Sequence, residues 1–236
     1  MDEFSTFMTT PTSTRPFLGL TVLAVEDSRF ASEALRLICL KSGARIRRAD
    51  SVASARRHLR AYRPSIAVID LGLPDGSGID LIRDLNKTTP RVDVLLAISG
   101  DPHLAHAARA AGADRFLDKP LTSLADFQSA VLALLPRDRV PNGPRPVPQE
   151  DIEPDPIAFT DDLAHASDVL GDAQDSKTIA YVAQFLSGVA RSAKDNGLTR
   201  ACDELLATLS KGKPDRACVS RLAGLVQDRL NKRQAV

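Results

Sequence analysis

Two apolar runs in this sequence end directly in carboxylates. Asp70 follows the run that starts at Ile66, and Glu26 and Asp27 follow the run from Leu18 to Val25. Such runs are typical of buried parallel strands, whose carboxyl ends meet at one edge of a sheet. Carboxylates gathered there repel by about 4 kcal/mol per pair at about 4 Å with an effective dielectric constant of about 20. The site therefore favours a divalent cation, and oxygen-only ligands favour Mg²⁺.

A hydroxyl and an ammonium group follow two further apolar runs. Ser99 ends the run from Val92, and Lys119 closely follows the run 113–117. At the same sheet edge these two side chains could bind the oxygens of a phosphoryl group. The combination of carboxylates, hydroxyl and ammonium predicts a phosphoryl-transfer site.

Helical patterns separate the strands that would position these groups. An amphipathic segment follows each apolar run, and Ser77 is the expected N-cap of the helix after Asp70. Strands that alternate with helices imply right-handed crossovers covering both faces of a parallel sheet. The expected fold class is α/β, a doubly wound five-stranded parallel sheet of the flavodoxin-like type, with strands at 18–25, 44–49, 66–70, 92–99 and 113–117.

Composition excludes several classes of protein. The chain has 236 residues, a hydrophobic share of 43%, a charged share of 26% and a net charge of +1, which argues against a strongly basic nucleic-acid protein. No apolar run is long enough to span a membrane, and the segment 1–16 lacks the pattern of a signal peptide, so a cytoplasmic protein without membrane contact is expected. Cys39, Cys202 and Cys218 have no metal-ligand spacing and are interpreted as reduced, buried thiols.

The pattern changes after a segment rich in proline. The segment from Pro136 to Pro156 contains seven prolines, counting both ends, and little that can be buried, so it is expected to be a semi-extended linker. Only helical patterns follow, and they predict a small all-α bundle of three or four helices. The predicted divisions are a flexible lead-in at 1–17, the sheet domain at 18–135, the linker at 136–157 and a helical effector or interaction domain at 158–236.

The sheet domain resembles the receiver domain of bacterial two-component response regulators. The resemblance covers about residues 18–135 and is carried by four motifs at strand ends. They are Val-Glu-Asp-Ser at 25–28, Ile-Asp-Leu-Gly-Leu-Pro-Asp-Gly-Ser-Gly at 69–78, Ile-Ser-Gly at 98–100 and Phe-Leu-Asp-Lys-Pro at 116–120. Together the four motifs identify the family much more specifically than any one of them would.

The resemblance implies a role for each candidate residue. Asp70 would be the phosphorylation site, accepting a phosphoryl group from a sensor histidine kinase or a histidine phosphotransfer protein. Glu26, Asp27, Asp70 and the backbone carbonyl of Gly72 would hold Mg²⁺. Ser99 and Lys119, the latter before a cis peptide to Pro120, would bind the phosphoryl oxygens, and Ser99 and Phe116 would form the switch. The resemblance implies a signalling protein rather than an enzyme, with at most self-catalysed phosphorylation and dephosphorylation.

Several other interpretations of these patterns stay open. The carboxylates could be degenerate residues of a plain flavodoxin-like domain, His103 and His106 are interpreted as surface residues, and His165 lacks the neighbours typical of a phosphotransfer histidine. The bundle is expected to mediate protein interaction or self-dimerisation, in response to changes at the fourth and fifth helices of the sheet domain. The alternatives are a DNA-binding transcriptional regulator, disfavoured because the charges are mixed in sign, and an enzymatic output, for which no motif is present.

Overall fold

The computed structural model describes residues 10–173, 175–210 and 216–234. Its N-terminal half contains β1 (Thr21–Val25), α1 (Arg29–Ser42), β2 (Arg45–Ala49), α2 (Val52–Ala61), β3 (Ile66–Asp70), β4 (Gly72–Leu73), β5 (Gly76–Ser77), α3 (Gly78–Asn86), β6 (Val94–Ser99), α4 (Ala105–Ala111), β7 (Arg115–Asp118) and α5 (Leu124–Leu132). The C-terminal half contains α6 (Pro156–Asp172), α7 (Ser176–Ser192), α8 (Asn196–Leu209) and α9 (Arg216–Gln234).

Five parallel strands form one sheet in the order β2-β1-β3-β6-β7. The chain places β2 on one side of β1 and then β3, β6 and β7 on the other side. The strand order therefore changes direction between β1 and β3. Apolar side chains on the two faces form separate cores, one under α1 and α5 and the other under α2, α3 and α4. The predicted doubly wound α/β fold is confirmed, and the crevice at the strand ends lies where such folds bind ligands.

Local structure differs from the predictions at three places. The first strand starts at Thr21 and not at Leu18, because residues 16–19 form a turn with Gly19 in the left-handed region at φ 85°. The loop after Asp70 contains the small antiparallel hairpin β4–β5, which was not predicted. Ser77 occupies the N-cap position of α3, but its side chain makes no capping hydrogen bond.

The lead-in prediction is wrong at its C-terminal end. Phe17 is fully buried in the core under α1 and α5, where its ring meets that of Phe127 edge-on at a centroid distance of 6.4 Å. A buried aromatic ring fixes the chain at this point, so the packed domain begins before residue 18. Residues 1–9 of the predicted lead-in lie outside the described residues.

The proline-rich segment packs against the sheet domain. Ile152 is 3% exposed within the core under α1 and α5, and its N–H donates to the Thr122 carbonyl at 2.7 Å. Arg139 donates to Asp93 at 2.7 Å, and Lys41 pairs with Glu150. The segment is otherwise mostly exposed, as predicted, and Ile152 is the buried residue that anchors it to the sheet domain. The segment ends at Asp155, because α6 begins at Pro156.

The four C-terminal helices form an all-α bundle with its own core. Side chains from all four helices meet there, and Leu163, Leu186, Leu205 and Leu222 are fully buried. Phe30 of α1 belongs to the same core and stacks edge-on with Phe159 of α6. The predicted all-α unit is confirmed, and its packing is continuous with the sheet domain. Among the helices of the described chain, none combines the length and apolarity needed to cross a membrane.

Cys39 and Cys202 are buried free thiols, as predicted. Burial raises the pKa of each thiol to about 12, so neither is a reactive thiolate at neutral pH. Cys218 is only half-buried, so the prediction of a buried thiol is wrong at this position.

Candidate functional site

Three carboxylates lie together at the edge of the sheet. Glu26 and Asp27 follow β1, Asp70 ends the adjacent β3, and one oxygen from each lies within 4.8 Å of the others. Glu26 and Asp70 are 3% and 6% exposed. The parallel pairing of Val25 with Ile69 brings the two strand ends side by side, which is why residues 43 positions apart meet.

Lys119 reaches the same cluster from the end of β7. Its Nζ lies 2.6 Å from Glu26 Oε2 and 3.1 Å from Asp70 Oδ1, and the peptide bond to Pro120 is cis, as the resemblance implies. Burial alone would lower the pKa of Lys119, but the charges of Asp70 and Glu26 outweigh it, so the pKa lies above its usual value. Lys119 is therefore a permanent cation within the site.

Burial disfavours the charges of the acidic residues. It raises the pKa of Glu26 well above its usual value, although the Lys119 ammonium opposes this shift. It also raises the pKa of Asp27 to about 6, with a further contribution from the Asp70 charge. Three carboxylates share one ammonium group, so the ionised cluster keeps an excess of negative charge that a divalent cation would neutralise.

The donor set fits Mg²⁺. All three side chains offer hard oxygen ligands, and Gly72, whose carbonyl is the fourth ligand implied by the resemblance, borders the same cavity. A Cβ at Gly72 would lie 3.9 Å from Asp70 Oδ2, so residue 72 is a direct neighbour of the Asp70 carboxylate. The few carboxylates and the open cavity suit a cation that keeps several of its waters.

The structure places the two predicted switch residues on neighbouring strands. Ser99 ends β6, is 4% exposed and accepts a hydrogen bond at its Oγ from the Asp101 N–H at 3.1 Å. Phe116 of β7 is 9% exposed and belongs to the core under α2, α3 and α4. The ring of Phe116 thus already lies inward in this structure.

Helix α7 of the bundle lies across the carboxylate cluster. A cavity of about 470 Å³ separates them, with Asp70, Ser99 and Lys119 on one wall and Gln184, Ser187, Gly188 and Arg191 on the other. The sequence predicted no residue of the bundle in this site. The amphipathic pattern of α7 accounts for its buried stripe, but it carries no information about a cavity on the other side.

Two polar contacts join α7 to the loops around the cluster. The Tyr181 hydroxyl donates to Asp27 Oδ2 at 2.7 Å, and Arg191 Nη1 donates to the Gly100 carbonyl at 2.6 Å. Asp203 of α8 accepts from Arg191 at 3.0 Å and holds its guanidinium in place. Arg191 therefore binds the loop that directly follows Ser99.

A third contact joins α6 to the start of α1. Asp162 is 2% exposed and accepts from the Ser28 hydroxyl at 2.6 Å and from the N–H groups of Arg29 and Phe30 at 2.8 Å and 3.0 Å. Asp162 does not cap its own helix, because α6 starts earlier and Asp155 is its N-cap. Asp162 instead satisfies the free N–H groups of α1, at the positive end of that helix's dipole.

The main contacts of the bundle with the sheet domain lie away from the fourth and fifth helices, at which the switching changes are expected. In the described chain the main contacts of the bundle are with α1 and β4, and α4 and α5 are not among them. Phe30 on α1 offers the bundle an apolar anchor, and the surrounding N–H groups and carboxylates offer polar partners. Docking at this face puts the bundle over the cluster itself.

The histidines have no metal-binding partners in the described residues. His165 is exposed on α6, with its ring edge-on to Phe185 at 5.9 Å, and His103 borders the cavity. The described part of the chain contains one cluster of potential metal ligands, and it includes no histidine.

Comparison with known proteins agrees with this geometry. Residues 22–131 match the family model of the response regulator receiver domain. The chain is similar to the KDP operon transcriptional regulatory protein KdpE of Escherichia coli, with 31% identity over 53% of this chain and 56% of that protein. It is also similar to the virulence transcriptional regulatory protein PhoP of Salmonella typhimurium, with 29% identity over 50% of this chain and 52% of that protein.

The chain thus spans about half the length of these curated relatives. Among solved structures, it is similar to a putative response regulator from Chloroflexus aurantiacus, with 25% identity and a TM-score of 0.46, covering 49% of this chain and 96% of that one.

Proposed function

We propose that this protein is a phosphorylation-controlled regulator whose output is carried by its C-terminal bundle, because residues 22–131 match the family model of the response regulator receiver domain. Asp70 is the phosphoryl acceptor, and the donor is a phosphohistidine on a sensor kinase or a phosphotransfer protein. The observation that carries this proposal is the arrangement of Asp70, Lys119 and Ser99 around one cavity, next to two further carboxylates.

The transfer itself requires an unprotonated Asp70. An oxygen of its carboxylate attacks phosphorus, the new P–O bond forms, and the P–N bond to the donor imidazole breaks. In this proposal Lys119 and Ser99 bind the phosphoryl oxygens as charge develops on them. The protein is in this view a signalling protein, and its catalytic part is limited to its own phosphorylation and dephosphorylation.

Mg²⁺ would be held by Glu26, Asp27 and Asp70 with the Gly72 carbonyl, and it would supply positive charge to the phosphoryl oxygens. The receiver's own residues then govern access to the cation. Ser28 orients Glu26 by donating its N–H to Glu26 Oε1 at 3.2 Å, and Lys119 holds Glu26 and Asp70 together.

The docked bundle is the resting state in this proposal. With α7 across the cavity, a donor protein cannot bring its histidine to Asp70 from that side. Phosphorylation adds a charge of about −1.5 to −2 and three acceptor oxygens, which compete for the groups that α7 contacts. Release of the bundle would expose its receiver-facing surface to a downstream protein or to a second copy of the chain.

Phosphorylation of the full chain by a small-molecule donor such as acetyl phosphate tests the first step. Intact-mass measurement should show one phosphoryl group in the wild type with Mg²⁺ and none in Asp70→Asn. The matched control is Asp80→Asn, which removes an exposed carboxylate on α3 that pairs with Arg83. Incorporation that survives Asp70→Asn but is lost in Asp80→Asn would refute the assignment.

DNA binding is the second candidate, because KdpE and PhoP are named as transcriptional regulators. Basic residues of the bundle are partly neutralised by ion pairs, including Arg191 with Asp203, Arg221 with Glu204 and Arg229 with Asp195. A gel-shift titration at two salt concentrations distinguishes the candidates, because specific DNA binding weakens steeply as salt rises.

A further inference from the structure

Tyr181 stands out among the residues that the bundle brings to the cluster. It is the only hydroxyl of α7 in the described structure that donates directly to a carboxylate of the predicted metal site, at 2.7 Å from Asp27 Oδ2. The contact joins residues 154 positions apart, so it exists only while the bundle is docked.

The bundle, rather than the sheet domain, holds the Tyr181 ring in place. The ring lies 6.1 Å from that of Phe185, one turn further along α7, and Phe185 in turn packs on His165 of α6. The hydroxyl is therefore presented by a rigid helix pair. Any movement of that pair away from α1 withdraws the hydroxyl from Asp27.

Docking leaves each carboxylate of the cluster with a positive or proton-bearing partner. Lys119 forms ion pairs with Glu26 and Asp70, and the Tyr181 hydroxyl donates a hydrogen bond to Asp27. The Tyr181 phenol is the donor in this contact, because the ionised carboxylate of Asp27 can only accept. The hydrogen bond from the Tyr181 hydroxyl occupies a lone pair of Asp27 Oδ2 that would otherwise be available to a cation.

We propose that Tyr181 is a built-in competitor of Mg²⁺: in the docked state its hydroxyl binds Asp27 in place of the cation, so docking and metal binding oppose each other. The inference rests on the proposed function, from which the Mg²⁺ site follows. Thermodynamic linkage makes the opposition reciprocal, since the factor by which docking weakens Mg²⁺ binding is the factor by which Mg²⁺ weakens docking.

Tyr181→Phe tests the competition while keeping the ring that packs on Phe185. Isothermal titration calorimetry with MgCl₂ on the full chain should show affinity about tenfold tighter than in the wild type, the effect expected for one hydrogen bond to a charged group. Both proteins are titrated at the same pH and ionic strength. The matched control is Tyr62→Phe, whose lost hydroxyl has no hydrogen-bond partner among the described residues.

Tyrosine emission gives a second readout of the same event. The chain contains no tryptophan and two tyrosines, so in a Tyr62→Phe background the emission comes from Tyr181 alone. Titration with Mg²⁺ should change this emission with the affinity found by calorimetry, while NaCl at equal ionic strength should not. Tyrosine emission that does not change at saturating Mg²⁺ would overturn the proposal.

Asp162→Ala provides a variant outside the metal site. It removes the carboxylate that holds α6 to the start of α1, and it should tighten Mg²⁺ binding by loosening the bundle. Its control is the neighbouring Asp161→Ala, which loses an exposed pair with Arg29. Circular dichroism checks that each variant is folded.

Affinity in Tyr181→Phe that equals or falls below that of Tyr62→Phe overturns the inference, whatever Asp162→Ala does. No phosphodonor is present in these titrations. Failure of Asp70 phosphorylation is therefore a separate result, and it would refute the proposed function without deciding the competition at Asp27.

Discussion

Asp27 is the residue at which burial and metal binding are most directly opposed. Its raised pKa of about 6 means that a proton competes with a cation for its oxygens in mildly acidic solution. Apparent Mg²⁺ affinity should fall as the pH decreases below about 6, by about tenfold per pH unit if one proton is displaced. Calorimetric titrations from pH 5 to pH 8 measure this slope, and equal affinity across that range would contradict the assignment.

Lys119 is the residue on which the buried charges depend. Lys119→Met leaves Glu26 and Asp70 buried without their cation, which should reduce the free energy of unfolding by about 3 kcal/mol at neutral pH. Saturating Mg²⁺ should recover part of this loss, because it supplies the missing charge. Urea denaturation with and without Mg²⁺ measures both effects.

The control for this substitution is Lys41→Met, which breaks an exposed pair with Glu150. Exposed pairs contribute at most about 1 kcal/mol, since water already solvates both charges. Equal losses in the two variants would show that Lys119 does not compensate the cluster.

At the scale of elements, the junction of α6 with α1 is the contact that holds the two halves of the chain together most specifically. Asp162→Ala removes the buried carboxylate that accepts from one hydroxyl and two N–H groups, and should cost about 1–3 kcal/mol of unfolding free energy. Asp161→Ala should cost less than about 1 kcal/mol, because its partner Arg29 is 71% exposed. Urea denaturation of both variants measures the difference, and similar losses would mean that the cap on α1 contributes little.

At the scale of the whole molecule, the bundle and the sheet domain share a buried core through Phe30 and Phe159. If phosphorylation releases the bundle, this core opens and the molecule expands. Small-angle scattering of the wild type with Mg²⁺ and beryllofluoride, a phosphoryl mimic, should show a larger radius of gyration than the untreated protein. Light scattering on the same samples separates expansion from dimerisation.

Asp70→Asn is the control for this experiment, because it removes the oxygen that binds the mimic and keeps the side-chain volume. It should show no change with beryllofluoride. An unchanged radius and mass in the wild type would mean that the bundle stays docked after phosphorylation, and the resting-state proposal would then be wrong.

The sequence by itself determined the sheet domain and the residues of its site. Each strand–helix unit is local, because an apolar run, a terminal carboxylate and a capped helix follow one another within about twenty residues. Parallel pairing then leaves little choice about where the strand ends meet. Glu26, Asp27, Asp70, Ser99 and Lys119 could all be placed at one edge for this reason, and the structure brings them together there.

Only the tertiary structure decided which surface of the sheet domain the helices after Asp155 pack against. Their amphipathic patterns predict a bundle, but apolar burial is non-directional and does not specify a partner surface. The contacts of Tyr181 with Asp27 and of Asp162 with the start of α1 each join residues more than 130 positions apart. No local pattern encodes such pairs, because they depend on how two finished units fit each other.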